Sequence, residues 1–234
     1  QLPKTIREAY LDLGWTRKKS TPLVDTAWEI AYDQFVLPAS GKVWNGKPSE
    51  AGKTTFEVDE NTGALKSLCL DGEELLARPV TISLFRPATD NDNRDRMGAK
   101  LWRKAGLHTL TQKVVSLKES KTSATAQVNI LNVTGKKVGD ATLEYTLNHN
   151  GSLKVQTTFQ PDTTWVKSIA RLGLTFEMND TYGNVTYLGR GEHETYIDRN
   201  QSGKIGIYTT TPEKMFHYYV IPQSTGNRTD VRWV

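Results

Sequence analysis

Acidic and amide side chains are concentrated in one short stretch, at Asp90, Asn91, Asp92 and Asn93. Paired carboxylates can carry out general acid–base chemistry, and retaining glycoside hydrolysis is one reaction that uses two carboxyl groups, about 5–5.5 Å apart. On an extended segment, residues i and i+2 point the same way, so two short Asp side chains on one loop cannot flank an anomeric carbon from opposite sides. Asp90 and Asp92 therefore do not form a catalytic pair, and no catalytic residue is assigned to the chain.

The same stretch begins like a calcium-binding loop, with oxygen-bearing side chains at alternating positions. Arg94 occupies the fifth position of that pattern, and the central Gly and the distal Glu are missing. The sequence therefore predicts no metal site here.

The element that must position these side chains is a short apolar run, from Val80 to Phe85, which stops at Arg86 and Pro87. Proline fixes φ and has no N–H, so a strand that is paired on both sides cannot continue through it. Asp and Asn favour turns, because their side chains bond to nearby backbone groups. We interpret the segment as a strand that delivers an acidic loop to the rim of a β-structure. An ordinary polar turn is the alternative.

Short strands with turn residues every 8–12 positions make up most of the chain. The clearest hairpin signal is Asn150-Gly151, and residues 94–105 hold the one plausible helical turn. No βαβ alternation occurs, which excludes a parallel sheet or a (β/α)₈ barrel. The predicted fold class is all-β, a large antiparallel sandwich. The predicted strands are 9–15, 27–37, 54–58, 64–70, 74–85, 108–118, 123–132, 138–149, 152–160, 164–176, 184–188, 204–209 and 216–221.

Composition excludes several classes of protein. A hydrophobic content of 37% and a mean hydropathy of −0.53 suit a soluble protein with a modest core. The net charge is +4, but basic and acidic residues are interleaved, so no nucleic-acid partner is predicted. No apolar stretch approaches about 18 residues, so no membrane span is predicted. Cys69 is the single cysteine, which excludes an intrachain disulfide and leaves the compartment open.

Four segments resemble the region of glycoside hydrolase family 2 β-galactosidases around their "small chain" domain. Residues 85–92 are similar to the family pattern Phe-Trp-Arg-Ala-Pro-Thr-Asp-Asn-Asp, without the Trp and with Ala-Pro inverted. Residues 187–199 are similar to Gly-X-Gly-Pro-X-Glu-Asn-Tyr-X-Asp-Arg. Residues 219–233 end in Gly-Asn-Arg-Thr-Asp-Val-Arg-Trp, which is the most specific match. Residues 33–38 match the usual end of the preceding domain.

The resemblance implies a domain organisation. It gives the end of an immunoglobulin-like β-sandwich at 1–38, a linker at 39–53 and a galactose-mutarotase-like supersandwich at 54–234. The final strands of that supersandwich are missing, so it is expected to be C-terminally incomplete. We therefore expect the 234 residues to be a piece of a longer chain.

The resemblance also implies a function. The chain would be the non-catalytic C-terminal part of a β-galactosidase, a retaining enzyme that hydrolyses terminal β-D-galactosides. Both catalytic Glu residues of this family lie in a (β/α)₈ barrel, so the fragment alone is expected to be inactive. Asp90, Asn91, Asp92 and Asn93 would lie on the rim of the substrate pocket, with bracing of the loop as the alternative role. The expected partners are the galactoside, the barrel domain and further subunits of a homo-oligomer. No cofactor is expected in the fragment, and Mg²⁺ and Na⁺ would belong chiefly to the barrel.

Two other functions stay open at this point. The chain could be a carbohydrate-binding or assembly module, or an aldose mutarotase that uses a His and a Glu on a concave sheet. For the mutarotase the candidate histidines are His149, His193 and His217. Two structural pairings are also predicted: an ion pair between Asp198 and Arg199, and an internal ion network of charged residues on one strand face, Arg228, Asp230 and Arg232.

Overall fold

A computed structural model describes residues 8–39, 53–94 and 98–234. Within these residues the chain is mostly β-structure in antiparallel sheets, with two short α-helices, so the all-β prediction is confirmed. No helix in the described ranges has the length and apolar content needed to cross a membrane. The described residues fall into two compact units. The sandwich unit comprises 53–94, 98–183 and 218–224, and the terminal unit comprises 8–39, 184–217 and 225–234.

The sandwich unit contains two antiparallel sheets. The four-stranded sheet has the order β10-β9-β8-β7, and the five-stranded sheet has the order β11-β6-β4-β3, with β5 paired to β4. The first sheet consists of β7 (Leu110–Glu119), β8 (Ser123–Asn132), β9 (Lys137–Leu147) and β10 (Leu153–Pro161). The second consists of β3 (Thr54–Val58), β4 (Leu65–Leu70), β5 (Glu73–Glu74), β6 (Leu76–Ser83) and β11 (Gly173–Met178).

The two sheets enclose one hydrophobic core, as expected of a sandwich. Alternate residues of β8 are buried, because successive side chains of a strand point to opposite faces. They meet buried side chains of the other sheet, such as Leu65 and Ile82. At the centre the buried Tyr145 hydroxyl donates to the Gly63 carbonyl at 2.9 Å, and burial raises the pKa of Tyr145 to about 12. The predicted large antiparallel sandwich is therefore confirmed.

The terminal unit contains two antiparallel strand pairs. The pair predicted near the start of the chain is confirmed as β1 (Ala9–Thr16) and β2 (Glu29–Leu37). The second pair is β12 (Val185–Gly191) and β13 (Lys204–Thr210), which is followed by the short helix α2 (Pro212–Met215). The Gln34 amide accepts from Ile205 N at 2.7 Å and donates to Ile205 O at 2.9 Å, so one side chain joins β2 to β13.

One predicted strand, 164–176, is correct only from Gly173 onwards, and another, 216–221, is wrong. Residues 164–172 form an irregular loop before β11, and residues 216–221 contain no strand. An apolar run becomes a strand only where a partner supplies the ladder, and residues 216–221 are paired in no ladder. The predicted helical turn is confirmed as α1 (Gly98–Lys104). Most of the predicted linker, 40–52, lies outside the described residues, and the proposed domain limits stay a prediction.

Glu74 holds the irregular segment between β4 and β6. Its carboxylate accepts from Ser67 Oγ at 2.5 Å, from Leu68 N at 3.0 Å and from Leu76 N at 2.9 Å. Burial raises the pKa of Glu74, but these hydrogen bonds outweigh burial and lower the pKa to about 2. The ionised carboxylate is therefore part of the fold.

We expect the free energy of unfolding to fall as the pH drops from the ordinary Glu pKa of 4.5 towards 2. The folded-state pKa is depressed, so this contribution is complete above the unfolded pKa and is lost as the folded form protonates. Glu74→Gln should be less stable than wild type at neutral pH and should show a flatter acid dependence. Urea unfolding followed by circular dichroism at several pH values measures both effects. Glu73→Gln is the control, since its exposed carboxylate accepts one bond, from Tyr182. Equal acid dependence in the two variants would refute the role of Glu74.

Candidate functional site

The acidic loop, residues 85–93, is anchored where it leaves β6. Leu84 is fully buried and Ala88 is 5% exposed, so apolar contacts fix both sides of the Arg86-Pro87 turn. The Arg86 guanidinium lies 5.5 Å from the ring centre of Trp102, a buried residue of α1. The indole N–H of Trp102 donates to Ser168 Oγ at 3.1 Å. The loop therefore starts from a rigid base formed by β6 and α1.

Asp92 holds the loop closed. Its carboxylate lies 2.6 Å from Arg86 Nη1 and also accepts from the Thr89 amide at 2.7 Å and the Thr89 hydroxyl at 2.8 Å. Burial raises the pKa of Asp92, but the bonds from Arg86 and Thr89 outweigh burial and hold the pKa below its ordinary range. The side chain is 17% exposed. Its oxygens are already engaged by a cation and two donors, which favours the bracing role for this residue.

Asp90, Asn91 and Asn93 differ from Asp92 in being exposed. Residues Asn91–Asn93 form a 3-10 turn in which the Asn93 amide donates to the Asp90 carbonyl at 3.2 Å. Their side chains have no hydrogen-bonding partner within the described part of the chain. The loop thus presents one carboxylate and two amides to the outside on a braced backbone. These groups suit hydrogen bonding to hydroxyl groups. Their assignment to a substrate stays a prediction.

Two residues of the segment 219–233 contact the acidic loop directly. The Asp90 amide donates to Gln223 Oε1 at 2.9 Å, and the Ser224 amide donates to the Ala88 carbonyl at 2.9 Å. Sequence reasoning found both segments but did not predict their contact, because strand patterns carry no distance information between segments so far apart. The single usable signal was that both segments matched the same family.

We expect Asp92→Ala to release the loop while leaving the sandwich core intact. The Thr89 amide loses its acceptor and Arg86 loses its ion partner, so exchange of the Thr89 amide hydrogen should become about tenfold faster or more. Hydrogen exchange measured by NMR tests this. Asp90→Ala removes an exposed carboxylate from the same loop and should leave that amide unchanged. Equal exchange in both variants would contradict the bracing role.

In the terminal unit, Glu194 is the buried charged residue of the second motif, at 7% exposure. It pairs with Arg199 at 2.5 Å and accepts from the Thr225 hydroxyl at 3.1 Å and the Gly226 amide at 2.8 Å. The predicted pairing of Arg199 with Asp198 is wrong, since Arg199 turns to Glu194 and Asp198 is exposed. The cluster joins residues 194–199 to residues 225–226, and its partners identify it as structural.

The predicted ion network at residues 228–232 is partly correct. Asp230 pairs with Arg190 at 2.5 Å, and Arg232 pairs with Glu8 at 2.6 Å. Arg228 instead donates to the Tyr187 hydroxyl at 2.7 Å. The segment is not a regular strand, because Asp230 has a positive φ of 52° that breaks the extended backbone. The charged groups are therefore tied individually and do not share a strand face.

None of the four histidines lies on a strand, although a mutarotase site requires a His on a sheet face. His149 lies in the β9–β10 turn, and His193, whose ring contacts Ser202 Oγ at 2.9 Å, lies in the loop after β12. His108 and His217 also lie in loops. A metal centre has no support either: in the described ranges, no group of three or more His, Cys, Asp or Glu side chains could hold an ion.

Comparison with known proteins agrees with the motif resemblance. The family model described as beta galactosidase small chain matches residues 50–234. A β-galactosidase of Priestia megaterium is 29% identical over 97% of this chain and 23% of its own length. One from Kluyveromyces lactis is 28% identical over 93% of this chain and 23% of its own length, and one from Yersinia enterocolitica is 27% identical over 74% and 17%. The chain thus spans about a quarter or less of the length of these curated relatives.

Proposed function

The chain belongs to the beta galactosidase small chain family, and from this premise we propose that it is a non-catalytic C-terminal part of a glycoside hydrolase family 2 β-galactosidase. The whole enzyme would hydrolyse terminal β-D-galactosides with retention of configuration. The chain would supply a loop to the rim of the active site and contacts to neighbouring domains. The chain matches 23% of the length of the Priestia megaterium β-galactosidase, which supports a role as one part of a larger enzyme.

The observation that carries this proposal is the acidic loop itself. Two family motifs meet there, through the bonds of Asp90 to Gln223 and of Ala88 to Ser224. Such a contact holds the exposed side chains in one arrangement, and a preorganised loop loses little entropy when it binds a sugar. In this proposal Asp90, Asn91 and Asn93 bind sugar hydroxyl groups, and Asp92 contributes by positioning the loop.

The chain should not carry out hydrolysis alone. Asp92 is engaged by Arg86 and Thr89, and Asp90 lies on the same loop, so the loop offers no second free carboxylate to act across a glycosidic bond. We propose that both catalytic carboxyl groups belong to a barrel domain of the whole enzyme. We propose that any Mg²⁺ or Na⁺ of that enzyme is bound chiefly by the barrel, because the described residues of this chain contain no group of three or more His, Cys, Asp or Glu side chains that could hold an ion.

The β1–β2 sheet of the terminal unit exposes an apolar surface. Several of its apolar side chains are exposed, including Trp15 at 52%, Ile30 at 65% and Val36 at 73%. Two strands cannot bury a core alone, so such a sheet needs a covering surface. We propose that neighbouring domains of the whole enzyme cover it, and that the whole enzyme is a homo-oligomer.

The test is to express a long protein that contains these residues and has the full length of the relatives. Hydrolysis of a nitrophenyl β-galactoside is then measured for the long protein and for the 234-residue chain. We expect activity from the long protein and none from the 234-residue chain. The double variant Asp90→Ala/Asn91→Ala should lower kcat/KM about tenfold or more, because each lost hydrogen bond to a sugar hydroxyl costs about 1 kcal/mol.

The matched control is Asp180→Ala, which removes an exposed carboxylate from another 3-10 turn of the sandwich unit, Asp180–Tyr182. It should leave kcat/KM unchanged. Hydrolysis by the 234-residue chain alone would overturn the non-catalytic assignment, and an unchanged kcat/KM in the double variant would overturn the rim assignment.

A further inference from the structure

A second concave surface of the sandwich unit, the basic groove, has a cavity volume of about 610 Å³. Within the described ranges, no carboxylate lines it. Residues of α1, of the turn after it, of the β8–β9 turn and of the loop after β10 contribute to it. Its basic and aromatic lining residues are Arg103, Lys104, His108, Lys136, Trp165 and Lys167.

Folding gathers charges that are dispersed in the sequence. The pair Arg103-Lys104 and the residue Lys136 are more than thirty positions apart, and Lys167 follows after another thirty. In the structure all four line one cavity and are exposed. The interleaving of charge along the sequence therefore hides a local excess of positive charge.

These cations are not neutralised by ion pairs within the described part of the chain. The Lys136 ammonium lies 4.0 Å from the ring centre of Trp165. The Lys167 ammonium donates to the carbonyls of Thr163 at 3.2 Å and Thr164 at 2.9 Å. Both lysines are thus held by neutral groups, which fix their positions and leave their charge available to an anion.

The carboxylate of Asp162, in the loop that carries Trp165, already has hydrogen-bond donors. The Asp162 carboxylate accepts from the Thr164 amide at 3.0 Å and the Thr164 hydroxyl at 2.5 Å. These bonds, and to a smaller degree the charge of Lys136, lower the pKa of Asp162. Asp162 is therefore a cap of the loop that carries Trp165, and it forms no ion pair with Lys136.

The shape and lining favour a small acidic ligand with a ring. The Trp165 indole is fixed by its N–H, which donates to the Lys137 carbonyl at 3.0 Å, and a fixed indole can pack against a sugar ring. The volume lies within the range of small-ligand sites, about 300–1,000 Å³. A nucleic acid would need a longer positive track, whereas here Asp140 pairs with Lys137 at 2.7 Å beside the groove.

The groove and the acidic loop share their supports. The ring of Phe85, at the start of the loop, meets His108 of the groove edge-on at 6.0 Å between ring centres. The loop residue Arg86 stacks over Trp102, which precedes Arg103 on α1. A ligand in the groove would therefore bind to the same rigid base as the loop.

We propose that the basic groove binds an acidic sugar, that is, a sugar ring that carries a sulfate or carboxylate group. The anionic part of this inference rests on the groove alone, and the choice of a sugar rests on the proposed function. In the whole enzyme such a site would favour galactans that bear acidic substituents over neutral ones.

The experiment is calorimetric titration of the 234-residue chain with galactose 6-sulfate, galactose and inorganic sulfate. Galactose 6-sulfate should bind about tenfold more tightly than either comparator, because it alone offers both the charge and the ring. Added salt should weaken its binding. Absence of binding, or equal affinity for inorganic sulfate, would overturn the proposal.

Variants locate the site. Lys136→Glu/Lys167→Glu should weaken binding of galactose 6-sulfate at least about tenfold. Lys113→Glu/Lys154→Glu, with the same change in net charge on exposed positions of β7 and β10, should retain it. If circular dichroism shows that the first variant is misfolded, Lys136→Gln/Lys167→Gln provides the same comparison.

Equal losses of affinity in the two double variants would overturn the location of the site. Tighter binding of a single-stranded DNA oligonucleotide would overturn the ligand class. Hydrolysis by the long protein is a separate readout, so failure here leaves the proposed function standing.

Discussion

Replacing Glu194 with alanine is expected to lower the free energy of unfolding by about 2 kcal/mol, because several donors lose one buried carboxylate acceptor. The carboxylate is the common acceptor of Arg199, the Thr225 hydroxyl and the Gly226 amide. Its removal takes the acceptor from the Gly226 N–H and weakens the link between two segments of the terminal unit.

Urea unfolding of the variant and of the unmodified chain measures this loss. Asp198→Ala is the matched control, because Asp198 is exposed and adjacent to the same arginine in sequence. Its removal should change stability by less than about 0.5 kcal/mol. If Asp198→Ala proved as damaging as Glu194→Ala, the pairing of Arg199 with Glu194 would not be the one that stabilises the fold.

Gly63→Ala is expected to cost about 3 kcal/mol, from two additive causes. Gly63 has a φ of +68°, a conformation that costs a residue with a side chain about 1–2 kcal/mol. An added Cβ would also lie 2.7 Å from Ala126 Cβ and 2.8 Å from Val128 Cγ1, in the core between the sheets. Overpacking of this kind costs typically about 1–3 kcal/mol.

Gly72→Ala separates the two causes. Gly72 has a φ of +87°, but an added Cβ would meet no atom within 4 Å. It should therefore lose only the conformational part, about 1 kcal/mol. Urea unfolding gives a midpoint for each variant. The difference between the two midpoints measures how tightly the turn at Gly63 packs against β8. Identical midpoints would mean that the core yields to the extra methyl group.

The strands of the sandwich unit could be predicted because local patterns determine them. The range of β8 was predicted without error, since its alternating apolar residues all point into one core. The turn at Asn150-Gly151 was predicted from its residue types, and Gly151 has the expected positive φ of 78°. The run 164–172 misled the prediction, because Trp165 is half-buried and Val166 is buried in a loop, without a strand ladder. A pattern of apolar residues records burial and does not identify the neighbour that provides it.

The candidate site could be predicted only in part. The sequence located the acidic loop at Pro87 and the turn-forming residues after it, but it treated its four polar residues alike. The structure separates Asp92, whose carboxylate is engaged, from Asp90, Asn91 and Asn93, which are exposed. That difference depends on the direction of the Arg86 side chain, and no spacing rule specifies it. The gathering of Lys136 and Lys167 around Trp165 was equally hidden, because it depends on how the β8–β9 turn and the loop after β10 meet.

The bond between Asp90 and Gln223 joins residues that are 133 positions apart. During synthesis, at about 5–20 residues per second, the loop therefore leaves the ribosome many seconds before its second support exists. The strands around it can pair in that interval, because their partners are close along the chain. The loop gains these contacts only after Gln223 and Ser224 emerge, so it reaches its final shape late in the translation of this segment. A nascent chain arrested before that point contains the loop without its bonds to Gln223 and Ser224.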